Sequence, residues 1–295
     1  MIFSITTFPG RIGIIEPCLR SLMCQRDKDD KIVLWLGEEQ FPNRLDDVPW
    51  NILKLREEGV EIRFTPDTRS FKKLIPSVEA FPDETVITFD DDVVYHPDVV
   101  KRLKKAHLSD PHAVWAHAVS DVYPTKKGWV RTSGAFGLIY APQPLQLMTG
   151  MGGVLYPPHS IDNILFNIAE ARRIAPTNDD VWFWYSVAKK GTPIRRVPRP
   201  LNKFKGIAEA NSYGSLSSIN EVHGDAVNRQ YIANVFARDP EFAARCKAVA
   251  ESHRFRILLA RMYRVAVYYP WIVVQTIFKP GGVAVVLSEM RRRFQ

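Results

Sequence analysis

The chain has 295 residues, of which 46% are hydrophobic, enough to bury the core of one large α/β domain with an appendage. Its cysteines form neither a CxxC pair nor a disulfide framework, which predicts a reduced, cytoplasmic protein: Cys18, Cys24 and Cys246. The formal net charge of +8 lies mostly in residues 251–295, which hold eight Arg or Lys against two Glu. The body therefore lacks the basic surface of a nucleic-acid-binding domain, and we expect no nucleic-acid partner.

The first part of the chain alternates predicted strands and helices. Residues 2–7 are predicted to form a first strand rather than a signal peptide, because no basic leader or long apolar run is present. In the turn Phe8-Pro9-Gly10-Arg11, glycine permits unusual backbone angles beside a cation, which suits an anionic ligand. The elements that follow are a helix at 12–23, strands at 31–36 and 61–64, and a helical crossover at 71–81. This order predicts an α/β fold with a mainly parallel sheet and helices on both faces.

The next strand, Thr85 to Phe89, runs directly into the acidic triplet Asp90-Asp91-Asp92. Three adjacent carboxylates repel one another, and burying them is costly unless a cation or hydrogen-bond donors neutralise them. A hard divalent ion such as Mn²⁺ or Mg²⁺ would do so, and open α/β sheets bind ligands where their strands end. The sequence therefore predicts a metal and ligand site here, the alternative being a solvated acidic loop.

Further along, a helix is predicted at 97–107 and strands at 113–119 and 137–141. The segment Gly150 to Pro158 has a glycine cluster with neither a helical nor a strand period. Clustered glycines let the backbone approach a ligand closely. We therefore expect this segment to contact a bound molecule.

Two acids stand at the predicted start of an aromatic-rich helix that ends near Gly191. Helix capping explains one of Asp179 and Asp180, but it does not explain an adjacent pair beside Asn178. His223 follows a segment at 203–220 that is rich in Gly, Ser and Asn. A structural role and a role as a metal ligand are equally open for this histidine.

Five motifs in this order resemble bacterial GT-A-fold glycosyltransferases, the sugar-nucleotide-dependent enzymes that build lipopolysaccharide, capsule and related surface glycans. The motifs span most of residues 1–223: Thr6-Thr7-Phe8-Pro9-Gly10-Arg11-Ile12, Phe71-Lys72-Lys73-Leu74-Ile75-Pro76, Asp90-Asp91-Asp92, Gly152-Gly153-Val154-Leu155-Tyr156-Pro157-Pro158 and Asn178-Asp179-Asp180-Val181-Trp182-Phe183-Trp184.

The resemblance implies a nucleoside-diphosphate sugar as donor, a divalent metal as cofactor and a glycan or lipid-linked acceptor. It implies that Asp92 binds the metal, that Asp90 binds the ribose or the metal, and that His223 is a further candidate metal ligand. It implies inversion with Asp180 as the base and Asp179 beside it, although inverting members carry Glu in place of Asp179. The other expected donor-binding residues are Thr6, Thr7, Arg11, Lys72, Lys73, Asp91, Gly152 and Gly153.

Two other functions remain open at this point. A nucleotidyltransferase acting on sugar phosphates also places carboxylates and metal at a sheet edge, but it commonly uses a glycine-rich phosphate loop, and Phe8-Pro9-Gly10-Arg11 is a poor one. A non-catalytic sugar-nucleotide-binding module would leave the pair Asp179-Asp180 without a role.

The expected domains are a catalytic domain at 1–245 and a basic, amphipathic, helical tail at 246–295. Cations alternate with apolar residues at 254–264, and the uncharged run 265–278 is shorter than the roughly 20 residues that span a bilayer. We expect the tail to attach peripherally to the inner face of the cytoplasmic membrane, or else to pack on the body or in a homo-oligomer.

Overall fold

Four parallel strands form one half of the main sheet. A computed structural model describes residues 1–125, 128–133, 142–198, 200–201, 205–213 and 222–263, together with Ala266, Pro270 and Val274. The parallel strands are β1 (Ile2–Thr6), β2 (Lys31–Gly37), β3 (Val60–Thr65) and β4 (Val86–Phe89). Their order is β3-β2-β1-β4, so β1 lies between β2 and β4.

The other half of the main sheet is largely antiparallel. Its strands are β6 (Val114–Thr125), β7 (Gly128–Ser133), β8 (Gln146–Tyr156) and β9 (Ile194–Arg196). Strand β8 pairs antiparallel with both β4 and β6, β7 pairs antiparallel with β6, and β9 runs parallel to β6. A separate pair joins the short strands β5 (Val93–Val94) and β10 (Lys205–Gly206) just after the acidic triplet.

Helices cover both faces of the sheet. On one face lie α1 (Glu16–Met23), α2 (Trp50–Glu57) and α4 (Val99–Ser109). The other face carries α3 (Ile75–Ala80), α5 (Ile168–Ile174), α6 (Asp179–Lys190), α7 (Val222–Arg238), α8 (Pro240–Ser252) and α9 (Arg254–Tyr263). Alternate residues of β2 reach the two cores, Ile32 and Leu34 on one face and Val33 and Trp35 on the other. This confirms the predicted α/β class with both faces covered.

Helix α6 is the most enclosed helix near the sheet edge, and it matches the prediction closely. The Asn178 side chain accepts a hydrogen bond from the Val181 N–H at the start of the helix. Gly191 ends it in the left-handed conformation at φ 88°, which glycine adopts without a Cβ penalty. Trp182, Trp184 and Tyr185 are fully buried, so the first two turns of α6 are anchored in the core.

The prediction that Gly150 to Pro158 is not a strand was wrong. Residues through Tyr156 belong to β8, in which Val154 pairs with Ala116 and Thr149 pairs with Ala118. Residues 150–153 therefore lie opposite the single residue His117, and these four residues form a large bulge in β8. Gly152 and Gly153 have φ values of 95° and 90°, so the alternation of a regular strand is lost from the sequence.

Some predictions meet the structure only in part. Helix α1 begins at Glu16 and not at residue 12, and the crossover is divided into a 3₁₀ turn at Arg69–Lys73 and α3. The strand expected at 137–141 lies outside the described residues, as does half of 203–220. Helix α8 runs across residues 245 and 246, where the sequence predicts a boundary between two domains. The division into these domains stays a prediction. Among the described helices, none is both long and apolar enough to cross a bilayer.

Candidate active site

The middle acid of the triplet is held by the loop that follows β1. The Thr7 hydroxyl donates to Asp91 Oδ2 at 2.6 Å, and Arg11 donates to Asp91 Oδ1 at 2.8 Å and to Asp92 Oδ2 at 3.2 Å. Burial raises the pKa of Asp91, while the Arg11 charge and the Thr7 hydrogen bond oppose that rise. Thr7 and Arg11 thus anchor the acidic turn to the end of β1.

The first acid, Asp90, is fixed through its backbone as well as its side chain. Its N–H donates to the Tyr95 hydroxyl at 2.8 Å, and its carbonyl accepts from that hydroxyl at 3.2 Å and from Cys18 Sγ at 3.3 Å. Burial is the largest cause that raises the pKa of Tyr95 well above its usual value, so the phenol stays protonated. No sequence pattern had pointed to Tyr95 or Cys18, because their role depends on chain segments that meet only in the fold.

Lys73 joins the acidic triplet to the start of α6. Its Nζ donates to Asp90 Oδ1 at 2.8 Å and lies 2.7 Å from Asp179 Oδ2, with only 7% of its side chain exposed. Burial alone would lower the pKa of Lys73, but the charges of Asp179 and Asp90 outweigh it and raise that pKa well above its usual value. The ammonium group therefore remains charged between the two carboxylates.

Asp180, in the first turn of α6, meets the β8 bulge at the same point. The Gly150 N–H donates to Asp180 Oδ1 at 2.9 Å. A Cβ added at Gly150 would lie 2.7 Å from Lys73 Nζ, 3.0 Å from Asp90 Oδ1 and 3.3 Å from Asp180 Oδ1. The structure thus brings Asp90 and Asp180, which are 90 positions apart in the chain, around one glycine. Gly150 belongs to the glycine cluster of the sequence, in which the expected donor-binding residues are its neighbours Gly152 and Gly153.

The protonation of Asp180 differs from that of an ordinary carboxyl. Burial raises its pKa to about 7, the charges of Asp179 and Asp90 add to that rise, and Lys73 and Arg131 oppose it. A carboxyl with a pKa near neutrality exchanges its proton readily at neutral pH. A pKa in this range is the one that a general acid or base at neutral pH requires.

The two outer acids of the triplet are more accessible than the middle one. The side chains of Asp90 and Asp92 are 29% and 35% exposed. Burial raises the pKa of Asp92, and the nearby charge of Asp90 raises it further, a repulsion that a cation between them would relieve. Within the described residues, no group of three or more His, Cys, Asp or Glu side chains is arranged as a metal site. His223 lies in α7, and its side chain is outside the described part of the chain.

Two of the predicted donor-binding residues have partners outside the acidic triplet. Lys72 is buried and contacts Asp67, which follows β3, and Gln40 Oε1 at 3.3 Å, which follows β2. The Thr6 hydroxyl donates to the Trp35 carbonyl of β2 at 2.8 Å. Lys72 thus lies at the same edge of the sheet but nearer to β2 and β3. The Thr6 side chain instead links β1 to β2.

Gly153 has a packing role next to the triplet. A Cβ there would lie 2.8 Å from the Phe89 ring, whose residue immediately precedes Asp90. The positive φ of Gly152 shapes the same bulge. Both glycines therefore shape the backbone beside the site. Among the glycines of the bulge, Gly150 is the one described in contact with the site's carboxylates.

Comparisons with known proteins do not assign the chain to a family. No family model matches the sequence, and no curated protein matches it significantly. One similar structure is that of residues 1–349 of TarS from S. aureus, at 13% identity and a TM-score of 0.42, covering 81% of this chain and 72% of that one. Another is an apo UDP-glucose pyrophosphorylase, at 10% identity and a TM-score of 0.39, covering 80% of this chain and 96% of that one. Likenesses this distant do not identify a reaction.

Proposed function

We propose that this chain is a metal-dependent GT-A-type glycosyltransferase that moves a sugar from a nucleoside diphosphate to a glycan or lipid-linked acceptor. The proposed process is bacterial surface polysaccharide synthesis, as the sequence resemblance implies. The observation that carries the proposal is the meeting of Asp90, Lys73 and Asp180 around Gly150. The acid proposed to bind the donor, Asp90, therefore lies near Asp180, whose pKa is raised to about 7.

In the proposed reaction, Asp180 is the base. The acceptor hydroxyl attacks the anomeric carbon, the bond from that carbon to the diphosphate oxygen breaks, and the hydroxyl proton passes to Asp180. Attack from the face opposite the leaving group inverts the anomeric configuration. The Gly150 N–H orients the carboxylate through Oδ1. A general base of this kind typically contributes about 10²–10⁴-fold to the rate.

Charge stabilisation of the departing diphosphate is the second requirement of the reaction. Asp90 and Asp92 would hold a Mn²⁺ or Mg²⁺ ion, which supplies Lewis-acid stabilisation of the diphosphate when bound. Arg11 and Thr7 keep the acidic turn in place through Asp91. Lys73 keeps a positive charge between Asp90 and Asp179, so the enclosed site is not purely anionic.

The experiment is a screen of nucleoside-diphosphate sugars with Mn²⁺ present, read first by thermal shift and then by product analysis. We expect one donor to raise the melting temperature and to be consumed with release of nucleoside diphosphate. Asp180→Asn should keep the thermal shift and lose turnover. Release of pyrophosphate from a nucleoside triphosphate and a sugar phosphate would replace the proposal with the nucleotidyltransferase alternative. Binding without turnover in every acceptor mixture would favour the non-catalytic module.

A further inference from the structure

Helix α9 (Arg254–Tyr263) presents an apolar face to the surroundings of the molecule. Phe255 is 72% exposed, Met262 is 58% exposed, and Leu258 and Leu259 are 47% and 48% exposed. These positions recur at the three- and four-residue spacing that places side chains on one face of a helix. Four large apolar side chains thus form one stripe over two helical turns.

The opposite face attaches α9 to the body. Ile257 is 8% exposed and belongs to the core cluster that contains Phe242 and Cys246 of α8. Its position in the helix is roughly opposite the middle of the exposed stripe at about 100° per residue. The outward direction of the stripe therefore follows from how the helix packs, and not from an unattached chain end.

The stripe differs from the other exposed apolar residues of the described chain. The others are Trp50, Leu108, Met151, Phe166 and Val274, which are far from one another in sequence, and single exposed apolar residues are ordinary on protein surfaces. A contiguous exposed patch marks an interaction site more often than it marks chance exposure.

The charges around the stripe indicate the chemistry of its partner. Arg254 and Arg256 are exposed, and helical spacing puts them on opposite sides of the apolar stripe. The sequence contains no Asp or Glu from 252 to 288, although it has Arg261, Arg264 and Lys279 there. An apolar stripe bordered by cations on both sides complements the surface of a bilayer that has anionic headgroups and an apolar interior.

We propose that α9 docks flat on an anionic lipid bilayer. Phe255, Leu258, Leu259 and Met262 would enter the boundary between headgroups and acyl chains, while Arg254 and Arg256 would contact lipid phosphates. The docking face is the described helix itself rather than the uncharged run after it. The proposal goes beyond the reaction, because it needs no assumption about the donor or the acceptor.

The test uses the full chain with vesicles of phosphatidylcholine, with and without phosphatidylglycerol. We expect sedimentation with the phosphatidylglycerol vesicles at low salt, weakened by high salt because exposed charges are screened. The double variant L258Q/M262Q should lose about tenfold or more in partitioning, since two apolar side chains no longer transfer from water. R254E/R256E should lose binding to the anionic vesicles. The matched control, W50Q/L108Q, changes two exposed apolar side chains elsewhere and should bind as the unchanged chain does.

Three results would overturn the proposal. The first is a full chain that stays in the supernatant at low salt, and the second is a control variant that loses binding as strongly as L258Q/M262Q. The third is a dimer in sedimentation equilibrium that L258Q/M262Q converts to monomer, which would assign the stripe to a second copy of the chain. Nucleoside diphosphate release with a water-soluble acceptor should be the same in L258Q/M262Q and the unchanged chain, so failure of the docking is separable from failure of the proposed reaction.

Discussion

The ammonium group of Lys73 lies 2.7 Å from Asp179 Oδ2 at the start of α6. The same group donates to Asp90, so one buried cation links the acidic triplet to the helix that carries Asp180. In the sequence, Lys73 stands beside Lys72 and the two are alike. In the structure only Lys73 enters the candidate site, whereas Lys72 contacts Asp67.

Lys73→Met should destabilise the protein and lower kcat. Removing one partner of a buried ion pair leaves the remaining charges unpaired, which costs about 3–5 kcal/mol. The measurements are urea unfolding at pH 7 and steady-state kinetics. Lys73→Met/Asp179→Asn should recover part of the stability, because the second change removes one of the unpaired charges. Additive effects of the two changes on the free energy of unfolding would show that the pair is not coupled.

Activity should rise with pH through the neutral range. The pKa of Asp180 is raised to about 7, so its base form is scarce below that pH and predominates above it. We expect kcat/KM to increase about tenfold per pH unit below the pKa and to level off above it. Asp180→Asn should abolish this acidic limb and lower kcat by about 10²–10⁴-fold while donor affinity is kept. A product with retained anomeric configuration would contradict the role of Asp180 as the base in an inverting transfer.

Gly150→Ala should impair turnover through close contacts in the site. The new methyl group would lie 2.7 Å from Lys73 Nζ and 3.0 Å from Asp90 Oδ1, which forces one of these groups to shift. We expect a decrease in kcat/KM of about 10²-fold, as for other small misplacements of reacting groups. Gly13→Ala is the matched control, because a Cβ there meets nothing within 4 Å. Equal kcat/KM for the two variants would show that turnover does not depend on the close approach of the Gly150 backbone to Lys73 and Asp90.

Asp92→Ala should abolish metal-dependent nucleotide binding while leaving the fold intact. Its side chain is 35% exposed and has Arg11 as a partner at 3.2 Å, so its removal leaves the stronger contact of Arg11 with Asp91 in place. Calorimetric titration of nucleoside diphosphate with and without Mn²⁺ measures the effect. Asp29→Ala, at an exposed acid remote in sequence, should behave as the unchanged chain does. Unchanged nucleotide affinity in folded Asp92→Ala would exclude a role of this acid in holding the metal.

Asp239 should stabilise the docking of α8 in a pH-dependent way. Its Oδ1 caps α8 by accepting from the Phe242 N–H at 2.9 Å, and its Oδ2 accepts from the Tyr185 hydroxyl at 2.7 Å and contacts Lys189. Burial alone would raise the pKa of Asp239, but these hydrogen bonds outweigh it and lower the pKa from 3.8 to about 2. The carboxylate therefore contributes stability above about pH 4, and this contribution is lost as the pH falls toward 2.

Asp239→Ala should lower the free energy of unfolding at pH 7 by about 2–3 kcal/mol, from the lost cap and the unpaired Tyr185 hydroxyl. Urea unfolding at pH 7 and pH 2.5 measures the difference. Asp239→Asn keeps a capping oxygen and should lose less. A difference that stays the same at both pH values would show that the charge of Asp239 is not involved.

The local parts of the fold could be predicted from the sequence. The apolar run ending at Phe89 gave the strand before the acids, and Asn178 and Gly191 marked the ends of α6. These predictions succeeded because strand and helix periods and caps depend on neighbouring residues. The sequence likewise showed which acids are available for a site, because carboxylates directly after a buried strand must be neutralised.

The tertiary structure decided which of those residues meet. Lys73 contacts Asp90 and Asp179, and Gly150 contacts Asp180, across chain separations that no local pattern specifies. Strand β8 could not be recognised in the sequence, because the glycines of its bulge interrupt the period-two alternation of a strand. The pKa of Asp180 also depends on burial and on charges brought from three other segments of the chain. Such long-range burial and electrostatics arise only when distant segments pack together. The sequence could therefore name the acids and both lysines, but not which lysine and which glycine meet those acids.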